Sequence, residues 1–405
     1  MFFAATTPPR LLTLVLFTAL SVLSLNMFLP SLANMAEDFQ ADYALVTLSI
    51  AGYLGVTGGL SLVVGPLSDR FGRRPVMLVA LVIFTLASLV CAVTTNIWVF
   101  LGFRVLQGAM IAGWALSLAV IRDTAPPQEA ASKIGYVSMA MAAAPMLGPV
   151  LGGALDALFG WRSSFLAYTG FGLAALCLCW LDQGETNKNP SETFAKQLAS
   201  YPTLFRSRRF WGYALCMAFS TWAFYAFLTG APLVAVALLG LTPAELGVYL
   251  GSITAGFLFG SFLSGRLAKR FPLTTMMIAG RLVACTGLLV GLAFALSGVV
   301  NLLSVFGATI FVGLGNGLTT PSANAGAMSV RPELAGSASG LVGALTVGGG
   351  ALVTSITGAV VTESTGAGLL LGVMLFCSAM GLVAALTVRW IDRREGTLAT
   401  GLKAS

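Results

Sequence analysis

Apolar runs long enough to cross a membrane recur along almost the whole of this 405-residue chain. A spanning helix needs roughly 20 consecutive apolar residues. The sequence predicts twelve such spans, at 10–30, 43–66, 76–95, 98–121, 131–155, 162–182, 210–231, 245–265, 274–297, 300–321, 334–360 and 367–389, separated by clusters of Pro, Gly and charge. Only 9% of the residues are charged and 57% are hydrophobic, where a soluble domain usually carries about 25% charged residues. The bilayer is the natural solvent for such a surface. In lipid every backbone polar group must find a partner within the chain, so an all-α membrane protein is expected. The run 11–29 follows Arg10 as the core of a secretory leader would. It is long enough to span, and no small-residue cleavage site follows it before Pro30, so it reads as the first span.

The net charge of +7 admits nucleic acid or a membrane surface as partner, and the positions of the charges decide for the membrane. With the N-terminus placed in the cytoplasm, the loops on that side hold Arg10, Arg70, Arg73, Arg74, Arg122, Lys133, Lys188, Lys196, Arg206, Arg208, Arg209, Arg266, Lys269, Arg270, Arg331, Arg389, Arg393, Arg394 and Lys403. The opposite loops hold Arg162, and only Arg104 and Arg281 lie inside spans. This asymmetry predicts an even number of spans with both termini cytoplasmic. The longest polar stretch, 183–209, divides the chain into a six-helix half at 1–182 and another at 210–390, with a tail at 391–405. Gly65, Leu67, Arg70 and Phe71 recur as Gly265, Leu267, Arg270 and Phe271, at the same place in each half. Two parallel, pseudo-symmetric six-helix halves are the layout of major facilitator transporters.

The chain has no histidine, which removes histidine bases, histidine metal ligands and every Ser-His-Asp or Cys-His arrangement. Its six cysteines all fall in apolar runs and read as small hydrophobes. No enzyme chemistry, metal or cofactor is called for.

Five motifs then carry a family resemblance. "GPLSDRFGRRPVML" from Gly65 resembles the signature loop between spans 2 and 3 of the major facilitator superfamily, and "RVLQG", 104–108, is similar to its span-4 motif. "PMLGPVLGGAL", 145–155, resembles the span-5 motif of its drug/proton antiporters, with Gly148, Pro149, Gly152 and Gly153. "LNMFLPSL" in span 1 and "AGSASGL", 335–341, resemble the bicyclomycin/chloramphenicol-resistance branch. The resemblance implies a multi-pass protein of the bacterial inner membrane. It would export small amphiphilic drugs in exchange for protons by alternating access, as a functional monomer. An uptake permease of the same fold for a small metabolite is the alternative, and the span-5 motif argues against it.

The residues place the mechanism in a few positions. An anchor on the cytoplasmic side accounts for Arg70, Arg73 and Arg74 but not for Asp69. The resemblance makes this loop a cytoplasmic gate, with Asp69 facing the N-terminus of span 11, Arg73 paired with Asp123, and Gly65 and Gly72 allowing close approach and the turn. Arg104, inside span 4, is costly there by about 2.5–3.5 kcal/mol. At 100° per residue Gln107, Ile111 and Trp114 share its face, which predicts a cavity-lining cation. The family links this position to proton coupling, and Arg104 and Asp123 are the coupling candidates. Arg281, near a span end, is expected to snorkel. Gly148 and Gly152 share a face with Ala144, where another helix can pack closely. Tyr53, Trp222, Tyr225, Asn316 and Asn324 are further cavity candidates, with lipid-facing aromatics as the plainer alternative for Trp222 and Tyr225. One departure from the branch stands out. Span 1 carries Asn26 where an acid is usual, and all fifteen acids fall in predicted loops or at span ends. With no buried acid to neutralise a cation, neutral or zwitterionic substrates are expected.

Overall fold

The computed structural model describes residues 7–125, 127–187, 204–267, 270–331, 334–362 and 366–394. Side chains at 122, 127–132, 134–135, 138–140, 142–143, 146 and 335–337 are outside that description. Most of the predicted central loop, with Lys188 and Lys196, therefore lies outside the described residues. So do Lys269 and residues 395–405 of the predicted tail, with Lys403, and so does the side chain of Arg122.

The elements are helical throughout the described residues. They are α1 (Leu11–Asn26), α2 (Leu32–Asp38), α3 (Tyr43–Phe71), α4 (Arg73–Val93), α5 (Ile97–Leu106), α6 (Ile111–Thr124), α7 (Pro127–Phe159) and α8 (Arg162–Asp182). There follow α9 (Arg208–Leu233), α10 (Pro243–Leu267), α11 (Leu273–Leu296), α12 (Ala308–Ser329), α13 (Ala335–Val360) and α14 (Gly366–Arg394). Among the described residues, eleven helical segments are long and apolar enough to cross a membrane, and α7 adds the shorter apolar stretch Leu147–Phe159. This is the all-α, multi-span architecture that the apolar runs require.

Span 1 is longer than expected. It runs over Leu11–Asp38, because a short 3₁₀ turn at Leu29–Ser31 joins α1 to α2. Pro30 has no N–H to give an α-helical ladder, so the chain tightens there and continues. Span 4 is likewise built from α5 and α6 around a 3₁₀ turn at Gln107–Met110. Asn96 caps α5, its Oδ1 accepting from the backbone N–H groups of Trp98 (2.9 Å) and Val99 (3.3 Å).

Packing divides the chain into two compact units. One is Met1–Phe194 with Gly240–Gly251, the other Ala195–Leu239 with Ser252–Ser405. In the first, α1 packs on α6 and α7, and α4 packs on α8. In the second, α11 packs on α12 and α14, and α9 on α13 and α14. The polarity of both units is inverted relative to a soluble domain. Leu86, Leu158, Phe259, Leu303, Leu352 and Phe376 are exposed, whereas Arg104, Gln107 and Arg281 are wholly buried. Large apolar side chains thus face out, as lipid demands, and the polar groups satisfy one another inside. Buried hydroxyls mostly bond the carbonyl one turn back, as Thr85 does to Leu81 and Ser220 to Cys216.

Candidate functional site

The signature loop is a turn one residue long. α3 ends at Phe71, α4 begins at Arg73, and Gly72 joins them at φ +97°, a conformation that side-chain-bearing residues rarely adopt. A Cβ on Gly72 would also run into the Glu185 carboxylate. At Gly65 a Cβ would meet nothing within 4 Å, so the close approach expected there is not found. Arg73 is nearly buried and gathers three partners. Its Nη1 lies 2.5 Å from both Asp69 Oδ1 and Ser68 Oγ, and its Nε lies 3.0 Å from Asp123 Oδ2. Arg70 is turned away, over the Phe71 ring at 5.3 Å. Arg74 stacks on Trp180 at 5.1 Å and donates to the Trp180 carbonyl at 3.1 Å.

Sequence reasoning passed over Glu185. Its carboxylate accepts from the backbone N–H of Arg73 (2.9 Å) and of Arg74 (3.1 Å), the first donors of α4. An anion at a helix N-terminus satisfies orphan donors and meets the positive end of the helix dipole. Asn187 donates to the Asp69 carbonyl at 2.7 Å. The segment after α8 therefore clamps the loop after α3. An acid three residues beyond a span end, in a stretch otherwise read as a basic anchor, was the available signal.

Arg104 is fully buried and has no carboxylate within ion-pair distance among the described residues. Its Nη1 donates to Gln107 Oε1, and its Nη2 to the Ser24 carbonyl at 2.8 Å. The rings of Phe28 and Tyr53 lie 4.2 and 4.7 Å from the guanidinium carbon, close enough for cation–π attraction. Gln107 Nε2 donates to Ser88 Oγ at 2.6 Å, and Ser24 Oγ and Tyr53 Oη share a hydrogen at 2.5 Å. Spans 1 to 4 thus converge on one cation held by neutral acceptors. Its Nε keeps no partner.

Trp114 does not join this centre and is half-buried. The four residues Gln107–Met110 form a 3₁₀ turn, and at about 120° per residue instead of 100° they advance the face by about 80°. The face extrapolated from Arg104 therefore misses Trp114. Asn26 ends α1, buried but apart from Arg104. Its Nδ2 donates to the Val22 carbonyl at 2.7 Å, and its Oδ1 has no partner.

The span-5 glycines press α7 against α1. A Cβ at Gly148 would sit 3.3 Å from Asn26 Cβ, and one at Gly152 would collide with the Met27 carbonyl. Gly153 meets the Pro243 carbonyl, and Gly247 of α10 in turn meets the carbonyl of Pro149. Contacts this close are possible only without side chains.

In the second unit the expected snorkelling of Arg281 is not found. It is fully buried, with Nη2 donating to Asn316 Oδ1 at 2.6 Å and Nε to Thr319 Oγ1 at 3.0 Å. Asn316 Nδ2 donates to the Ser220 carbonyl at 3.1 Å. An interior amide and hydroxyl satisfy the guanidinium better than a long reach to the interface would. Trp222 donates to the Thr346 carbonyl at 2.9 Å and lies on Gly349, while Tyr225 lies on Gly350, so both rings pack on α13. Asn324, two turns beyond Asn316, is half-buried and outside this network.

Two acids assigned to span ends are in fact buried. α7 continues to Phe159 and α14 to Arg394, which carries Asp156 and Asp392 inside. Asn34 Nδ2 donates to Asp156 at 2.9 Å, and Arg209 Nε lies 2.9 Å from Asp392.

Apolar, multi-span helical units bury polar centres, and a charged turn follows span 2, as a membrane transporter of the expected kind requires. Residues 14–355 match the family model described as Major Facilitator Superfamily. The chain is 31% identical over 372 residues to "Multidrug resistance protein D" of Escherichia coli (strain K12), covering 90% of this chain and 92% of that one. It is 29% identical to the "Chloramphenicol resistance protein" of Pseudomonas aeruginosa (84% and 80% covered). It is 25% identical to the "Bicyclomycin resistance protein homolog" of Haemophilus influenzae (85% and 88% covered). In fold it is similar to a bacterial homologue of the human lysosomal transporter Spinster, with a TM-score of 0.75 at 17% identity over 96% of this chain and 98% of that one. The chain belongs to the major facilitator superfamily. It is a multi-pass membrane transporter, not an enzyme.

Proposed function

We propose that this transporter exports small amphiphilic molecules across the bacterial inner membrane, in exchange for protons, by alternating access between two six-helix halves. The observation that carries the reading is the packing of Gly148 and Gly152 on Asn26 and Met27. It couples the span-5 motif directly to span 1, two and three residues beyond the Ser24 whose carbonyl accepts from Arg104. The relatives named for drug resistance support the same direction of transport.

Arg104 stays charged at any working pH, so it is the fixed cation of the centre and not the proton's carrier. In this reading Arg104 and Asp123 couple to the proton. Asp156, buried against an amide and not a cation, is a further carboxylate able to exist in both protonation states. The held cation favours neutral or zwitterionic cargo with an acceptor oxygen. Gly65, Asp69, Arg70, Gly72, Arg73, Arg74 and Asp123 form the cytoplasmic gate, both termini are cytoplasmic, and the working unit is a monomer.

The test uses purified protein in liposomes that enclose a pH-sensitive dye. A pH gradient is imposed and neutral phenicols are added. Proton flux on drug addition, abolished by Arg104→Ala, is the expected result. Drug movement without proton flux would remove the antiport reading, and inward accumulation of solute would replace export by uptake.

A further inference from the structure

The start of α9 and the last turns of α14 enclose a groove of about 610 Å³ in the second unit. Arg208, Trp211, Trp390 and Arg394 stand at one end, where α9 begins and α14 finishes. Leu215, Phe219 and Val383 line the remainder. From Arg208 to Phe219 the wall runs about 16 Å at ~1.5 Å per residue. That is close to one leaflet of a hydrocarbon core of about 30 Å.

We propose that this groove binds one anionic phospholipid, its phosphate between Arg208 and Arg394 and an acyl chain along Leu215, Phe219 and Val383. Charge complementarity names the occupant. Both arginines are exposed, and among the described residues neither has a carboxylate within ion-pair distance. The nearby acid, Asp392, is already taken by Arg209 at 2.9 Å, so it does not repel a phosphate. The Arg394 guanidinium lies over the Trp390 ring at 3.8 Å. Stacking uses the face of the guanidinium and leaves its N–H edges for phosphate oxygens. Trp211 donates to the Phe205 carbonyl at 2.9 Å, which fixes a second indole at the same level. Paired indoles at that depth belong to the membrane interface. A soluble anion would use the arginines but not the apolar length. A second copy of the chain would cover the apolar wall and leave two cations facing each other. The loop charges place this end in the cytoplasmic leaflet, where anionic lipids attract basic side chains.

The full-length protein, freed of lipid in a neutral detergent, is titrated by native mass spectrometry. The probes are phosphatidylglycerol, phosphatidylcholine with the same acyl chains, and glycerol 3-phosphate. One phosphatidylglycerol per chain is expected, bound more tightly than either other probe. Arg208→Ala/Arg394→Ala is expected to weaken it about thirtyfold, at about fivefold per basic residue, while Arg208→Lys/Arg394→Lys keeps most of the affinity. Thr387 is an exposed position on the wall, and Thr387→Trp is expected to displace the lipid with both arginines intact. Both sets of positions are exposed, and a monodisperse elution profile confirms that each variant has folded. Equal binding of phosphatidylcholine, equal binding of glycerol 3-phosphate, or retention of phosphatidylglycerol by the double alanine variant would each overturn the proposal. The readout is binding alone, so it stands or falls apart from the direction of transport.

Discussion

Among the described residues, each compact unit buries one arginine completely, and the two are satisfied in different ways. Both guanidiniums donate to a side-chain amide, Arg104 to Gln107 and Arg281 to Asn316. Both networks end on a carbonyl of the first helix of their unit, that of Ser24 in α1 or of Ser220 in α9. There the likeness stops. Arg104 and its amide lie three residues apart on one span, and aromatic rings cover the cation. Arg281 reaches from α11 to an amide and a hydroxyl on α12, and Gly381 of α14 packs on its stem, where a Cβ would lie 3.2 Å from Arg281 Cδ. In the first the cation and its amide move together on one span, and the bond to the Ser24 carbonyl of α1 is the one that must part. The second ties helices together. One centre is suited to change partners during transport, and the other to keep its unit rigid.

The sharpest way to break that comparison is to remove each cation. Arg104→Ala is expected to lower drug-driven proton flux by at least about tenfold, the loss of one charge-assisted contact of about 1.5–3 kcal/mol. Its folding in detergent should change less, since the Gln107 amide left behind can flip to accept from the Ser88 hydroxyl beside it. Arg281→Ala should do the reverse. It leaves Asn316 Oδ1 buried without a donor, a penalty of about 1–3 kcal/mol, and lowers the melting temperature while flux per folded molecule holds within about twofold. Thermal unfolding alongside dye-monitored flux separates the two. Equal loss of flux in both variants would end the distinction. Removing both partners in the second unit, Arg281→Met with Asn316→Leu, should recover stability relative to Arg281→Ala, because apolar replacement of a whole buried polar pair is often close to neutral.

A smaller effect tests the clamp on the first unit. Glu185→Gln keeps an acceptor for the α4 donors but removes the charge that meets the helix dipole, worth about 0.3–1 kcal/mol. The unfolding temperature should fall slightly. Labelling of a cysteine placed at the buried Thr186 should rise, as the segment after α8 lifts from Asp69. An unchanged labelling rate would mean that the charge has no part in holding the segment down.

How much of this was legible depended on the length scale. Spans follow from composition alone, because lipid admits only apolar helices: the runs at 43–66 and 162–182 reappear within α3 and α8, and the run at 76–95 overlaps α4 up to Val93. The burial of Arg104 was legible too, since a charge deep in a span must face inward. Its face was not, because a 3₁₀ turn leaves no mark in hydrophobic periodicity and shifted Trp114 out of phase. Arg281 was misread because distance from a span end says nothing about the amide waiting on the next helix. Glu185 was missed for a similar reason. Its partners are backbone N–H groups far along the chain, and backbone donors have no sequence signature. The burial of Asp156 escaped because α7 runs four residues beyond the predicted boundary at 155.

The smallest expected difference lies between the two hydroxyls. Thr319 Oγ1 accepts directly from Arg281 Nε, and a hydrogen bond to a charged group contributes about 1.5–3 kcal/mol. Ser88 Oγ accepts only from Gln107 Nε2, one step removed from the cation, and a neutral bond contributes about 0.5–1.5 kcal/mol. Thr319→Val should therefore lower thermal stability more than Ser88→Ala. In transport the order should invert. Ser88 fixes the Gln107 amide, so its loss frees Oε1 to turn away from Arg104 and changes the proton flux obtained per drug molecule. Thr319→Val removes a fastening from the unit that stays rigid and should leave that ratio as it was. If Ser88→Ala changed stability alone, Gln107 would be held by packing. The first centre would then be as fixed as the second.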